Sequence, residues 1–401
     1  MPMFILSGYS CQWSTILKPN PIAMKITLDA HNLHVAGGLS VGKNIVQILP
    51  VIAPMHEYLI IVPKDCGYPQ FTGHSNAELI YCPRMSFQKR FFWEKNVLRK
   101  KIKDFASDWI WALGNIAVGY PGCPQSLLLH NPHRVYPVSL TNPFLYERAL
   151  KIGSNFLLKR SLKHLDRVYC QTETMAGRFS AQYGFPREKI HLCPNAFSSS
   201  IVPGYKIPHK LVPFQGKFTL FVLTKYYTHK NLERIAEMYE KFHDELHDVV
   251  CIIPLAEDQG PKAAQLIHRI KKHHLEQNIV CTGIIQQEEL GDYFFASDAM
   301  FLPTLLESFS GTYLEAMTLE TPVLTSDLDF AREICGNAAE YIDPYSIESM
   351  KNGILKLKSS PERCQELVGL GKARAKSSLK NWNQIITTVL DVENIPYTSI
   401  L

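Results

Sequence analysis

The sequence predicts an α/β protein of two doubly wound parallel-sheet domains, and three observations carry that prediction. Short apolar runs alternate with helix-length amphipathic runs from residue 24 onward. This rhythm builds a parallel sheet with helices on both faces. A length of 401 residues exceeds one ordinary domain and suits two of about 200 residues each. Pro203, Gly204, Pro208 and Pro213 interrupt the rhythm near 196–215, which reads as a linker. The expected division is an extension over 1–23, a first Rossmann-like domain over 24–200, a second over 201–375, and a C-terminal helix over 376–401 crossing back to the first.

The elements follow in order. In the first half, apolar or β-branched runs place strands at 26–29, 58–62, 78–81, 109–113, 126–129, 167–170 and 190–192. A glycine turn at Gly37-Gly38 leads into a helix over 39–52, and helical periodicity marks 88–105, 143–164 and 173–183. The second half repeats the pattern with strands at 218–223, 249–254, 280–282, 299–302, 323–325 and 340–342. Helices lie between them, including 231–243 and one starting near Ser310, and a last helical stretch covers about 363–390.

Composition excludes several classes. With 46% hydrophobic and 20% charged residues the chain is neither disordered nor fibrous. A formal charge of +5 names no partner and permits contact with anionic lipid or nucleotides. The ten cysteines are scattered, without C-x-x-C or zinc-ligand spacing. Cys170 and Cys251 lie in apolar runs, so reduced core cysteines and a cytoplasmic setting are expected. The most apolar window, 44–63, is broken by Gln47, His56 and Glu57, and no membrane span is expected. The N-terminus lacks the basic start and long apolar stretch of a signal peptide.

The most informative segment is 303–317. Glu307 and Glu315, with seven residues between them, fall at the carboxyl end of a strand and in the first turns of the next helix. Open α/β sheets bind ligands at such places. The free N–H groups from Ser310 to Tyr313 suit a phosphate, and carboxylates suit sugar hydroxyls. A blander reading also fits: Thr312-x-x-Glu315 is a capping box and Glu307 a solvated loop acid.

Other constellations need the same weighing. Gly37-x-x-x-x-Gly42-Lys43-Asn44 is one residue short of a Walker A loop, with Asn44 where a magnesium-binding hydroxyl belongs. It is compatible with a phosphate cradle, with a P-loop hydrolase or kinase, or with a plain turn and helix start. Lys225 and Lys230 flank the loop after the strand at 218–223 and suit a diphosphate, or form a solvated face. His130 ends a strand and points into a cleft or rests on backbone groups, and nothing beside His133 makes a metal site. The basic and aromatic segment 84–103 fits an anionic membrane surface or an amphipathic core helix with a stripe of Phe91, Val97, Leu98 and Ile102. No nucleic-acid recognition motif accompanies its charge, so no nucleic-acid partner is expected.

Together these residues resemble a retaining glycosyltransferase of the group 1, or family 4, kind with the GT-B fold. The likeness runs from about Met24 to the C-terminus. It is strongest in Glu307-x7-Glu315 with Ala316-Met317 and Thr321-Pro322-Val323, in Lys225-x4-Lys230, in Glu288-Glu289-Leu290 and in Ala296-Ser297-Asp298. The resemblance implies that Glu315 holds the nucleotide ribose and that Glu307 contacts donor-sugar hydroxyls. Lys225 and Lys230 would grip the diphosphate with the amides of Gly37, Gly38, Ser310, Gly311 and Thr312. His130 would lie on the sugar side and the backbone at Ile284 and Ile285 would face the base. Glu307, His130 and Lys230 are the implied catalytic residues. The implied donor is a UDP- or GDP-hexose, and the implied acceptor a glycan or a lipid-linked molecule of cell-surface polysaccharide synthesis. No cofactor and no required metal ion are implied. The chain departs from the family pattern at Lys225 (usually arginine) and at Ser310, Glu320 and Ala196 (usually glycine). A non-catalytic sugar-nucleotide binder is the reading those departures keep open.

Overall fold

The computed structural model describes residues 22–398 except 35, 69–75, 84, 86–88, 90–91, 120–121, 138–144, 197–201 and 379, with backbone alone at 36, 145–151 and 154. The sequence expectations for 1–21 and for part of 84–103 therefore lie outside the described residues.

Two parallel sheets are present. The first contains β1 (Lys25–Asp29), β2 (Glu57–Pro63), β3 (Ala77–Cys82), β4 (Trp109–Ala112), β5 (Gln125–Leu129), β6 (Arg167–Cys170) and β7 (Ile190–Leu192) in the order β3-β2-β1-β4-β5-β6-β7. The second contains β8 (Phe218–Phe221), β9 (Val249–Ile253), β10 (Ile279–Cys281), β11 (Ala299–Leu302), β12 (Val323–Ser326) and β13 (Glu340–Ile342) in the order β10-β9-β8-β11-β12-β13. Central strands β4, β5, β9 and β11 are buried along their whole length, as expected of strands covered on both faces. In each sheet the chain reverses its direction of travel once, between β1 and β4 and between β8 and β11. The strand ends at these two switch points form the natural ligand crevices.

Helices α1 (Ala36–Ile52), α2 (Arg99–Phe105), α3 (Leu145–Ser161) and α4 (Glu173–Tyr183) belong to the first half. The second holds α5 (Leu232–Lys241), α6 (Pro261–Lys272), α7 (Leu290–Phe295), α8 (Gly311–Thr318), α9 (Asp329–Cys335) and α10 (Ile347–Ser359). Two differences from the sequence reading matter. Gly37 and Gly38 lie inside the first turn of α1, not in a turn before it. The last helical stretch is two helices, α11 (Pro361–Ser378) and α12 (Trp382–Glu393). Asn381 starts α12 with a capping box, its side chain accepting from the Gln384 amide while Gln384 accepts from the Asn381 amide.

Helix α12 returns to the first sheet, where Ile385, Ile386, Val389 and Leu390 join the core around Ile26, Leu28 and Val46. Glu393, its side chain 2% exposed, accepts from Ser126 Oγ (2.5 Å), Tyr169 OH (2.7 Å) and Arg167 Nη1 (2.9 Å). A buried carboxylate with three donors leaves all of them orphaned when removed. Glu393→Ala is expected to cost about 3 kcal/mol, read as a lower urea midpoint at unchanged slope. A midpoint like that of the wild type would refute this anchoring role.

Two of the departures noted in the sequence have structural expression. Glu320 adopts the left-handed backbone that glycine takes more easily, at φ 59°, and its carboxylate pairs with Lys372 at 2.9 Å. Ser310 is the residue before α8 and makes no side-chain cap.

Candidate active site between the two sheets

On the second sheet the loops after β8 and β11 are stitched together. Leu305 N and Thr304 Oγ1 both donate to the His229 carbonyl, at 2.7 and 3.1 Å. Asn231, at φ 64°, donates to the carbonyls of Pro303 (3.1 Å) and Pro344 (2.8 Å). This framework brings Lys230 and Glu307, 77 residues apart in sequence, into a direct ion pair. Each side chain is only 13% exposed. The resemblance assigns these two groups to different parts of a donor, and the fold makes them partners. A phosphate arriving at Lys230 must share the ammonium with Glu307 or displace it.

The bland reading of Glu315 does not hold. Helix α8 begins at Gly311, so Glu315 stands in its second turn, past the reach of a capping box. Its carboxylate lies over the helix start, where a Cβ on Gly311 would fall 4.0 Å from Oε1. Burial pushes the Glu315 carboxyl up to about 7. It makes no hydrogen bond or ion pair among the described residues, so its capacity to accept is unspent. Lys225 is exposed on the loop after β8, and Ile284 (64% exposed) and half-buried Ile285 follow β10 on the same sheet edge. None of these three bonds to the Lys230–Glu307 pair.

On the first sheet, β5 delivers His130. Asn115, at φ 64° after β4, accepts from the backbone N–H of His130 and of Asn131, both at 2.8 Å. His130 Nε2 lies 3.1 Å from the Leu113 carbonyl. Nε2 also lies 3.1 Å from the Asn115 side-chain amide nitrogen, so a donor and an acceptor both face it. Burial holds the imidazole down at about 4, against the weaker upward pull of Leu113, so it is neutral at ordinary pH. The ring packs directly on Gly38, where a Cβ would fall 2.7 Å from Cε1. Gly37 has open space around it.

The same geometry removes the Walker A reading. Gly42, Lys43 and Asn44 lie in the second and third turns of α1, where amides bond along the helix and cannot cradle a phosphate. Gly42 is a packing residue, since a Cβ there would meet Tyr68 Oη at 2.5 Å. Asn44 donates to the Ser40 carbonyl at 2.8 Å.

The two sheet edges face each other. His133, after β5, meets His229, after β8, edge-on at 5.4 Å, and Tyr227 stacks on His229 at 5.4 Å. Burial, then Lys230 and His133, push His229 down to about 3. To one side, Tyr136 donates to Asp329 (2.9 Å) and Arg178 pairs with the same carboxylate. Glu333 accepts from the Glu173 and Thr174 amides, capping α4 from the other domain. Asn115, His229, Asp329 and Glu333 escaped the sequence reading, and His133 was weighed there only as a metal ligand. An asparagine directly after a strand, and histidines beside Lys230 and His130, were the available signals.

Two family models match this chain: Glycosyltransferase Family 4 over residues 51–200 and Glycosyl transferases group 1 over residues 206–374. The chain belongs to the group 1, family 4 glycosyltransferases. Its fold is GT-B. HepE of Anabaena, solved with UDP and glucose, superposes at a TM-score of 0.70 with 15% identity, covering 92% of this chain and 99% of that one. Mannosylfructose-phosphate synthase of Agrobacterium fabrum is 25% identical over 65% of this chain and 62% of its own length. The O-antigen chain mannosyltransferase RfbU of Salmonella typhimurium is 22% identical over 55% of this chain and 59% of its own. The matched segments thus span about three fifths of those curated relatives. Among the described residues of this glycosyltransferase, no helix is long and apolar enough to cross a membrane.

Proposed function

We propose that this protein moves a hexosyl group, with retention, from a UDP- or GDP-sugar to a glycan or lipid-linked acceptor in cell-surface polysaccharide synthesis, at the cytoplasmic face of a membrane. The observation that carries the reading is the facing pair of switch points. One offers Lys230, Glu307, Glu315 and the start of α8; the other offers Gly38 and neutral His130. A diphosphate lies naturally on the Lys230 ammonium, the free amides of α8 and the Lys225 side chain. Glu315 accepts from ribose hydroxyls, Glu307 accepts from hydroxyls of the sugar and His130 bonds to them, and the backbone of Ile284 and Ile285 faces the base. The acceptor oxygen bonds to the anomeric carbon as the bond from that carbon to the diphosphate oxygen breaks. The leaving oxygen keeps the electron pair and takes the acceptor proton. Lysine and helix amides stabilise the charge that develops there, so this reading needs no metal ion. HepE, solved with UDP, and RfbU, an O-antigen chain mannosyltransferase, support the donor class and the setting.

The first test is a thermal-shift comparison of UDP, GDP, ADP and CDP, since a ligand of the native state raises apparent stability. The absence of a shift with every nucleotide would overturn the reading. Glu315 adds a pH signature. Its folded pKa lies above the usual carboxylate value, so the free protein holds a proton there below about pH 7. Ribose hydroxyls bind the carboxylate. Nucleotide affinity should therefore rise about tenfold from pH 6 upward and level off above pH 8, with proton release on binding near neutrality. Glu315→Gln should bind weakly and without that slope. A wild-type affinity flat from pH 6 to 8 would contradict the assignment.

A further inference from the structure

The loops after β8, β9 and β10 leave the same edge of the second sheet, because these strands are parallel and adjacent. The reading proposed above puts the diphosphate on the first of these loops, at Lys225, and the base against the third, at Ile284 and Ile285. It leaves the loop after β9, which lies between them, without a role. One residue of that loop, Gln259, joins the other two.

Gln259 closes a single 3-10 turn over Glu257–Gln259. It is half-buried, whereas Glu257 and Asp258 are exposed. Its side-chain amide makes two bonds to backbone. Oε1 accepts from the Tyr226 N–H at 2.9 Å, and Nε2 donates to the Pro254 carbonyl at 2.8 Å. The pairing needs a side chain that accepts at one atom and donates at another. A carboxylate has no proton for the carbonyl, and lysine no lone pair for the N–H. The next residue, Gly260, sits at φ 129°, a backbone that residues with side chains rarely adopt, and Pro261 then opens α6.

Each bond ends beside a group that the reading assigns to the donor. Tyr226 follows Lys225, whose side chain is exposed. The Tyr226 hydroxyl bonds to Glu233 on α5. Gln259 and Glu233 thus fix Tyr226 by its backbone and its side chain, and the Lys225 ammonium extends from an anchored main chain. Lys262, in the first turn of α6, donates to Thr228 Oγ1 at 3.4 Å, a second tie from the same segment to the loop. On the other arm, the residues flanking Pro254 carry the start of the third loop. The Ile253 carbonyl accepts from the Thr282 N–H at 2.9 Å, and the Leu255 carbonyl from the Gly283 N–H at 3.1 Å. Gly283, at φ 75°, turns the chain directly into Ile284. The backbone assigned to the base therefore hangs from the segment that Gln259 holds.

We propose that Gln259 is a positioning residue for the nucleotide. It sets the spacing between the ammonium that meets the diphosphate and the backbone that meets the base, without touching the donor. The inference rests on the glycosyl-transfer reading. Titration of UDP and GDP, and of the free nucleosides uridine and guanosine, tests it on the wild type, Gln259→Ala, Lys225→Ala and the double variant. Gln259→Ala should bind the diphosphate that the wild type prefers about tenfold more weakly. Its affinity for the matching nucleoside should fall several-fold, whereas Lys225→Ala should weaken the diphosphate alone. Because Gln259 acts partly through Lys225, the two losses should fall short of additive in the double variant. In transfer assays Gln259→Ala should raise KM for the donor and keep kcat within about twofold. Gln259→Met, which keeps the length and gives up both bonds, should behave like Gln259→Ala. Wild-type affinity for the diphosphate in both Gln259 variants would make the residue a packing group and overturn the proposal, even with a lowered unfolding temperature. So would an unchanged nucleoside affinity, or strictly additive losses with Lys225→Ala. A wild type that binds neither UDP nor GDP defeats the donor reading itself.

Discussion

Glu307→Gln retains nucleotide binding and loses all but about a hundredth to a thousandth of its transfer rate. The reasoning starts from the ion pair. Glu307 and Lys230 are nearly enclosed and bonded to each other, so without donor each neutralises the other. Glutamine keeps the shape and spares the enclosed lysine the loss of a hydrogen-bond partner that alanine would impose. The charge, however, is gone. Lys230 is then freer to hold the diphosphate, and UDP affinity should stay level or rise several-fold. The sugar loses the carboxylate that the proposed reading places on its hydroxyls, and the oxocarbenium-like state loses a nearby negative charge. The measurements are the transfer rate at saturating donor and UDP affinity by calorimetry. Transfer at the wild-type rate would remove Glu307 from the mechanism. A parallel collapse of UDP affinity would recast it as a nucleotide anchor.

The second large effect belongs to Gly38→Ala. This residue is helical, so alanine meets no backbone strain; the cost is contact alone. The new methyl would fall 2.7 Å from His130 Cε1 and 3.4 Å from Leu33 Cδ2. The ring cannot easily withdraw, because Nε2 is tied to the Leu113 carbonyl and the backbone to Asn115. A shift near 1 Å at a positioned group costs about a hundredfold in rate, and overpacking costs about 1–3 kcal/mol in stability. The double variant Gly38→Ala with His130→Ala separates the two effects. Removing the ring should restore stability relative to Gly38→Ala and leave transfer low. Recovery of transfer in the double variant, or a silent Gly38→Ala, would show that the ring has no part in the reaction.

Strands β6, β7, β11 and β13 fall where the apolar runs ended at polar or turn residues, and helix α4 runs between Thr172 and Gly184, a cap at each end that local chemistry favours. Glycines were read less well. Gly37-Gly38 looked like a turn, yet the pair sits in helix, and the demand for glycine at 38 comes from a histidine 92 positions away. The segment 363–390 read as one helix because periodicity continues through it, while the break depends on Asn381 capping a new helix that docks elsewhere. The apolar stripe expected over 91–102 is only half a stripe: Leu98 and Ile102 are buried, but Val97 is exposed and Phe91 lies outside the described residues.

By itself the sequence determined the alternation of strand and helix, the parallel class of both sheets, and the acids, lysines and histidine offered at strand ends, because each depends on local periodicity and on neighbours a few positions away. Only the tertiary structure decided that Lys230 grips Glu307, that Glu315 is buried enough to hold its proton to about pH 7, and that Gln259 ties the loop after β8 to the loop after β9. Those properties arise from distances and desolvation between segments far apart in the chain, and no local pattern encodes them.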